Sequence, residues 1–310
     1  MPTLQHEISG ASSSDHVSYW GPGALGLTVT EPFDAMNGIQ CERALHEAEA
    51  ADGPVNVLKV GFWDPRNPEG ADPNEVVVDF TDAQIQDPAF ETVGGLSFRA
   101  RQKSNIGVVR NPRAARTNFG FRVADSHWGV LLVYSSDSTE IAAMFFFHLG
   151  LKCVMPERPG GKSVFETALA WCDEQGIKIS DADLFTDGGV QQCCYAHPNV
   201  DTLRQQVAAR YGDGLANGGE LFPPEVVVNP PHTGHFSISL PELIRGEFRR
   251  TWCAREDNAY SQSYGDTCTA CYGFYAAQDP SRRLLYSHAR GDGLKRNLCV
   301  VSFDTSPDGD

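Results

Sequence analysis

A histidine and a cysteine, His148 and Cys153, stand five residues apart where an apolar run meets a glycine, in MFFFHLGLKC. A thiol beside an imidazole is what nucleophilic acyl chemistry needs. The ring takes the thiol proton, and nearby N–H groups receive the oxyanion. A second pair, Cys194 and His197 in CCYAHP, follows two glycines and precedes a helix expected from Asn199. Nearness to a helix N-terminus lowers a thiol pKa. That puts Cys194 and His197 ahead as the catalytic pair, with His148 and Cys153 next and Cys193 as a neighbour. The plainer reading of any free cysteine is a small buried hydrophobe, and His197 beside Pro198 can simply line a turn.

Nine cysteines in all raise the question of metal. Cys268 and Cys271 form a CxxC, the close pair a tetrahedral zinc uses, with Cys253, Cys299 and His288 as further donors. A structural zinc site normally has two such pairs, and only one is present. The motif also lies in an apolar strand-like stretch, TCTACYGFY, in which alternation spreads the side chains apart. Zinc at Cys268 and Cys271 is therefore the weaker alternative, and no other cofactor is expected. His232 and His235 lack a nameable third ligand. Asp181, Asp183 and Asp187 lack the closing glutamate of a calcium loop.

Phosphate loops fail on inspection. RPGGKS (158–163) has Pro156 where the motif needs its first glycine, and Ser163 is fully explained as a helix cap. GPGALG (21–26) is followed by a strand-like LTVTEPF, so the strand–turn–helix order of a dinucleotide fingerprint is missing. The net charge of −15 argues against a broad nucleic-acid surface. One basic segment, 101–122, departs from that average. It reads as a solvated loop or as a contact for an acidic partner.

The elements that must position these residues follow from periodicity. GLSFRARQ, FGFRVAD, GVLLVYSS and EIAAMFFFHLGLKCVM read as strands, with SSDST turning the last two into a hairpin over 129–149. VNVLKVGFW, EVVVDF, HFSISL and NLCVVSF add short strands, as do EVVVNP, CTACYGFYAA and RRLLYSHA. Ser163 and Glu166 form a capping box that opens a helix closed at Gly176. A second helix runs from Asn199 to about Tyr211, with Val200, Leu203, Val207 and Tyr211 on its apolar face. PELIRGEFRRTW, with Pro241 at its start, is a third, and 38–50 a fourth.

The fold class is thus α+β: a mixed or antiparallel sheet, with a β-sandwich core as one form of it, flanked by about four helices. Residues 1–16 are polar and expected to be loosely held. Residues 17–310 form one unit, with 213–224 as the place for an internal boundary. The opening residues carry neither a basic start nor an apolar stretch, so no secretory signal is expected. The cytoplasm is the default compartment, and export without a cleaved signal stays open. The longest apolar run, 141–147, is far short of the ~20 residues that span a bilayer.

The order VLLVYSSDSTEIAAMFFFHLG, SVFETALAWCDEQG, DADLFTDGG and the helix after HPNV resembles that of the chemoreceptor glutamine deamidases. These are α/β proteins that use a cysteine and a histidine to hydrolyse side-chain amides of a partner protein. The resemblance covers roughly 80 of 310 residues and implies a layered α/β arrangement. It places a histidine near His148. Where that family carries its cysteine, at the start of the first strand, this chain reads DSHWG, with His127 and Trp128.

Two classes of function remain. One is a deamidase-like, thiol-dependent hydrolase or amidase. The other is a non-enzymatic protein-binding or structural protein, with a protein partner or a homo-oligomer as the expected assembly, for which 5 Trp and 17 Phe supply aromatic surface.

Overall fold

The computed structural model describes residues 4–6, 16–20, 55–58, 60–80, 90–93, 96–99, 103–111, 118–123, 126–137, 141–187, 189–192, 194–197, 200–213, 236–253, 259–264 and 297–304. Its centre is the expected hairpin. Strands β9 (His127–Ser135) and β10 (Ile141–Leu149) pair antiparallel, with Phe145 opposite Leu131 and His148 opposite Trp128. Both are apolar at nearly every position, which a strand requires when both of its faces are covered. Alternate residues then feed two separate cores. Phe145, Phe147 and Ala143 enter one, while Met144 and Phe146 enter the other.

Around the hairpin lies a six-stranded mixed sheet. Its order is β14 (Ala259–Tyr264), β11 (Ile179–Asp187), β9, β10, β7 (Ile106–Arg110) and β4 (Val77–Asp79). The β4–β7 and β11–β14 pairs are parallel and the rest antiparallel. A second, seven-stranded sheet runs in the order β1 (Leu4–His6), β2 (His16–Trp20), β15 (Asn297–Asp304), β8 (Asn118–Val123), β3 (Val55–Leu58), β6 (Leu96–Arg99) and β5 (Phe90–Val93). Leu58 of β3 joins the core formed by Phe80, Val109, Leu132 and Phe146, so the second sheet covers that face of the first.

Four helices among the described residues cover the other face: α1 (Leu151–Val154), α2 (Val164–Glu174), α3 (Val200–Tyr211) and α4 (Leu240–Thr251). The capping box of Ser163 and Glu166 is present at the start of α2. Gly176 and Gly212 take positive φ just past α2 and α3, as the sequence predicts. Leu203 and Val207 of α3 and Leu243, Ile244 and Phe248 of α4 enter the helix-side core. A charge cluster ties three helices together: Glu247, fully buried, and Glu166 both pair with Arg210 and Arg250. The architecture is the expected mixed sheet flanked by about four helices, with all four on one side.

Some local expectations differ from what forms. The strand reading of LGLKCVM ends at Leu149, because the chain turns through Gly150 into α1. Segment 101–122 is not a loop throughout. Ile106–Val109 are buried on β7, where apolar side chains at successive positions outweigh the flanking charges. Residues 259–264, AYSQSY, show no apolar alternation, yet their backbone extends the sheet beside β11. Leu4–His6, within the N-terminal segment, pairs with β2. The helix expected over 38–50 and the strands expected over 225–230, 268–277 and 282–289 lie outside the described residues, as does all but Asp213 of the boundary expected at 213–224. Among the described residues no helix is long and apolar enough to cross a membrane.

Candidate functional site

The site gathers at one end of β10, where three segments meet. His148 is the penultimate residue of that strand and only 3 % exposed. Its backbone N–H donates to the carbonyl of Asn105, the residue before β7, at 3.0 Å. The Asn105 side chain then turns back onto the imidazole, with Oδ1 3.1 Å from Nδ1. That amide has one consistent orientation. Its Nδ2 donates to the Gly61 carbonyl at 2.8 Å and to Asn74 Oδ1 at 2.7 Å, while the Gly61 N–H donates to Oδ1 at 3.3 Å. Asn74 in turn donates through Nδ2 to the carbonyl of Lys152 at 2.8 Å, tying the 60–76 loop to α1.

This orientation settles the tautomer of His148. A carbonyl oxygen faces Nδ1, so Nδ1 carries the proton and donates, and the ring's lone pair resides on Nε2. Burial pushes the imidazole down to about 4, so the ring is neutral at pH 7.

Cys153 comes under the same ring. A single turn of helix after Gly150 carries it back, and Sγ lies 3.6 Å from His148 Nδ1. The thiol is fully buried, and desolvation pushes it up to about 12. Asp72 adds to that effect through its negative charge. The Asp72 carboxyl is itself raised by desolvation, against the Asn74 N–H bond to Oδ1, and its buried Oδ2 has no hydrogen-bond partner. The resting pair is therefore a neutral thiol and a neutral imidazole.

The open side of the ring has its own furnishings. Phe62, 46 % exposed, tilts against His148 with ring centroids 5.8 Å apart, and Lys152 Nζ sits 5.6 Å above the Phe62 ring. A β-carbon at Gly150 would lie 3.3 Å from Ser126 Oγ, 3.7 Å from Phe62 Cε1 and 3.8 Å from His148 Cε1. A hydroxyl, an aromatic edge and the imidazole edge thus converge around one point beside Gly150. Ser126, partly exposed, is the residue before β9.

Of the residues expected to act, the structure brings His148 and Cys153 together. Cys194 is buried in the turn before β12 (Ala196–His197), and its N–H donates to the Gln191 carbonyl at 2.9 Å. His197 lies on β12 opposite Phe236 of β13 (Phe236–Ser237). Cys268, Cys271, Cys193 and His288 fall outside the described residues. Cys253 ends exposed after α4, and Cys299 lies on β15. Among the described residues no three His, Cys, Asp or Glu side chains are grouped to hold a metal. Asn105, Asn74 and Ser126 were not legible as site residues, since their roles arise from contacts 31 to 44 positions away along the chain or from a shared cradle. His127, beside Ser126, is a buried neutral histidine. Desolvation lowers it to about 4, its Nε2 lies 3.2 Å from the Val190 carbonyl, and Gly189 lies flat against its ring.

No family model matches the chain, and no curated protein matches it. Solved structures do. A Neisseria meningitidis protein of the family DUF152 superposes with a TM-score of 0.56 at 13% identity, over 98% of this chain and 100% of that one. The hypothetical protein YfiH of Bacillus licheniformis gives 0.53 at 11% identity, over 94% and 93%. YlmD of Geobacillus stearothermophilus gives 0.53 at 15% identity, over 95% and 92%. The chain has the fold of these DUF152, YfiH and YlmD proteins along nearly its whole length, and at such identities the likeness is one of fold.

Proposed function

We propose that this chain is a hydrolase of an amide or related bond, with His148 as the group that moves the proton. The observation that carries this reading is the Asn105 amide locked onto His148 Nδ1. It fixes the tautomer and will stabilise the imidazolium, the role an orienting residue plays in a hydrolytic triad. The lone pair on Nε2 accepts a proton from the attacking hydroxyl, of water or of Ser126, as that oxygen bonds to the carbonyl carbon. The same proton then passes to the leaving nitrogen, and the ring returns to its neutral form. Cleavage of the C–N bond consumes one water, directly when water attacks. When Ser126 attacks, the water enters in a second step, in which Nε2 deprotonates a water that hydrolyses the acyl-serine and the proton returns to Ser126 Oγ.

A thiol-dependent version rests on a specific observation as well, the 3.6 Å separation of Cys153 Sγ from Nδ1. It demands more of the site. Nδ1 must first give up the proton that bonds Asn105, and a thiol held near 12 must ionise. The pair Cys194 and His197 is a third place for the same chemistry, with a helix, α3, starting just beyond it. Hydrolysis of glutamine p-nitroanilide and p-nitrophenyl acetate by single variants separates the readings. His148→Gln is expected to lose about 10²–10⁴-fold, the usual worth of a general base, with Cys153→Ala staying within about three-fold. Loss in Cys153→Ala as large as in His148→Gln establishes the thiol mechanism. Full activity in His148→Gln removes both readings and leaves Cys194→Ala as the next variant to assay.

A further inference from the structure

On the far side of α1 from Cys153 lies an open cleft of about 890 Å³. Ligand sites commonly fall between about 300 and 1,000 Å³. Leu151 and Met155 of the α1 region and Leu203 of α3 give it an apolar floor, and Trp63 from the 60–76 loop forms a wall. Phe62 and Trp63 are consecutive, with Phe62 against His148 and Trp63 lining the cleft.

Three donors lie along that wall, one unpartnered, one held by carboxylates and one in an exchangeable ion pair. Trp63 Nε1 is closed to water and has no hydrogen-bond partner, an uncompensated cost for a buried donor. Arg210 spends Nε and Nη2 on Glu247 and Glu166 and meets the Tyr211 hydroxyl as well, and its guanidinium edges the cleft. Lys152 Nζ pairs with Glu157 at 2.8 Å, but both side chains are nearly half exposed, and such pairs hold weakly. An apolar floor under one cation that exchanges partners, a second whose guanidinium edges the cleft and an indole in want of an acceptor is a recognisable pattern. We infer that the cleft binds a small apolar carboxylate, with its hydrocarbon or aryl body on Leu151, Met155 and Leu203 and its carboxylate shared by Lys152 and Arg210. A small turn of the Trp63 ring into the occupied cleft gives its N–H an acceptor.

This site stands apart from the hydrolytic reading, because binding involves no turnover. The test is calorimetric titration of the intact chain with 3-phenylpropionate and with its uncharged isostere, 3-phenylpropanamide. The acid is expected to bind one to one and at least about ten-fold more tightly than the amide, since charge-assisted bonds are the strong ones. Lys152→Met, which keeps the stem and removes the charge, should shrink that difference. Trp63→Phe, which keeps an aromatic wall and deletes only the donor, should weaken the acid about five-fold. Absence of saturable acid binding by the unaltered chain, or equal affinity for acid and amide, overturns the proposal whatever the variants do.

Discussion

The chemistry of the site turns on how burial sets two imidazoles. His148 and His127 are both buried, and both are lowered to about 4 by desolvation. In the unfolded chain each returns to an ordinary value near 6.5. Between pH 6.5 and about 4 the unfolded state therefore binds two protons that the folded state refuses. Stability from this source is complete above about 6.5 and is lost as pH falls toward 4. The slope is about 1.4 kcal/mol per pH unit for each histidine, so about 2.7 for the two. Urea midpoints measured from pH 7 to 4.5 should fall accordingly, and His148→Gln should remove about half of the slope. An unchanged slope in that variant means that His148 is not neutral by burial.

His148 and Cys153 were visible in the sequence because their types and spacing invite the pairing. The rest was not. Asn105 is an unremarkable amide in a basic stretch until folding sets it between Gly61, Asn74 and the imidazole. Cys194 and His197 had equally good local credentials, and nearness to the start of a helix ranked them first.

At the scale of elements, the site depends on a strand that stops on time. Gly150 ends β10 and opens α1 with extended backbone, so one helical turn returns Cys153 beneath His148. Read as an uninterrupted strand, LGLKCVM would carry Cys153 some 16 Å from His148, at ~3.3 Å per residue. Short helical turns carry little periodicity, which is why this one was missed. The capping box of α2, by contrast, is a local signal and formed as read. What holds α2, α3 and α4 to one another is not local. Glu247 has no solvent exposure and bonds both Arg210 and Arg250, as Glu166 also does from α2. Removing one partner from a buried ion cluster leaves the others uncompensated. Glu247→Ala should therefore cost about 3 kcal/mol in chemical denaturation. Because Arg210 also lines the cleft, the same variant loosens that wall. A loss below about 0.5 kcal/mol, the level of an exposed pair, would show that the cluster is solvated in solution.

Across the whole molecule, helices cover one face of the six-stranded sheet and the second sheet covers the other. Strand β10 serves both interfaces through adjacent residues, Phe145 on the helix side and Phe146 on the sheet side. Neither core can open without exposing part of the other. We expect far-UV circular dichroism and tryptophan fluorescence to report one coincident urea transition. Phe145→Ala and Phe146→Ala should each shift that single transition, by about 3–5 kcal/mol. Two resolved transitions, each moved by only one of the variants, would divide the chain into separate units.

The sequence by itself determined the central hairpin, both caps of α2, the glycine that closes α3 and the α+β class. These depend on the chemistry of neighbours within a few residues, which periodicity and capping expose directly. Tertiary structure alone decided which nitrogen of His148 carries the proton, which hydroxyl stands near its edge and which cations share a cleft. The first rests on hydrogen bonds across 31, 43 and 44 positions, and the others on segments distant in sequence that the fold brings to one place. A chain folds such contacts into place only after its sheets have set the register, so no local pattern can announce them.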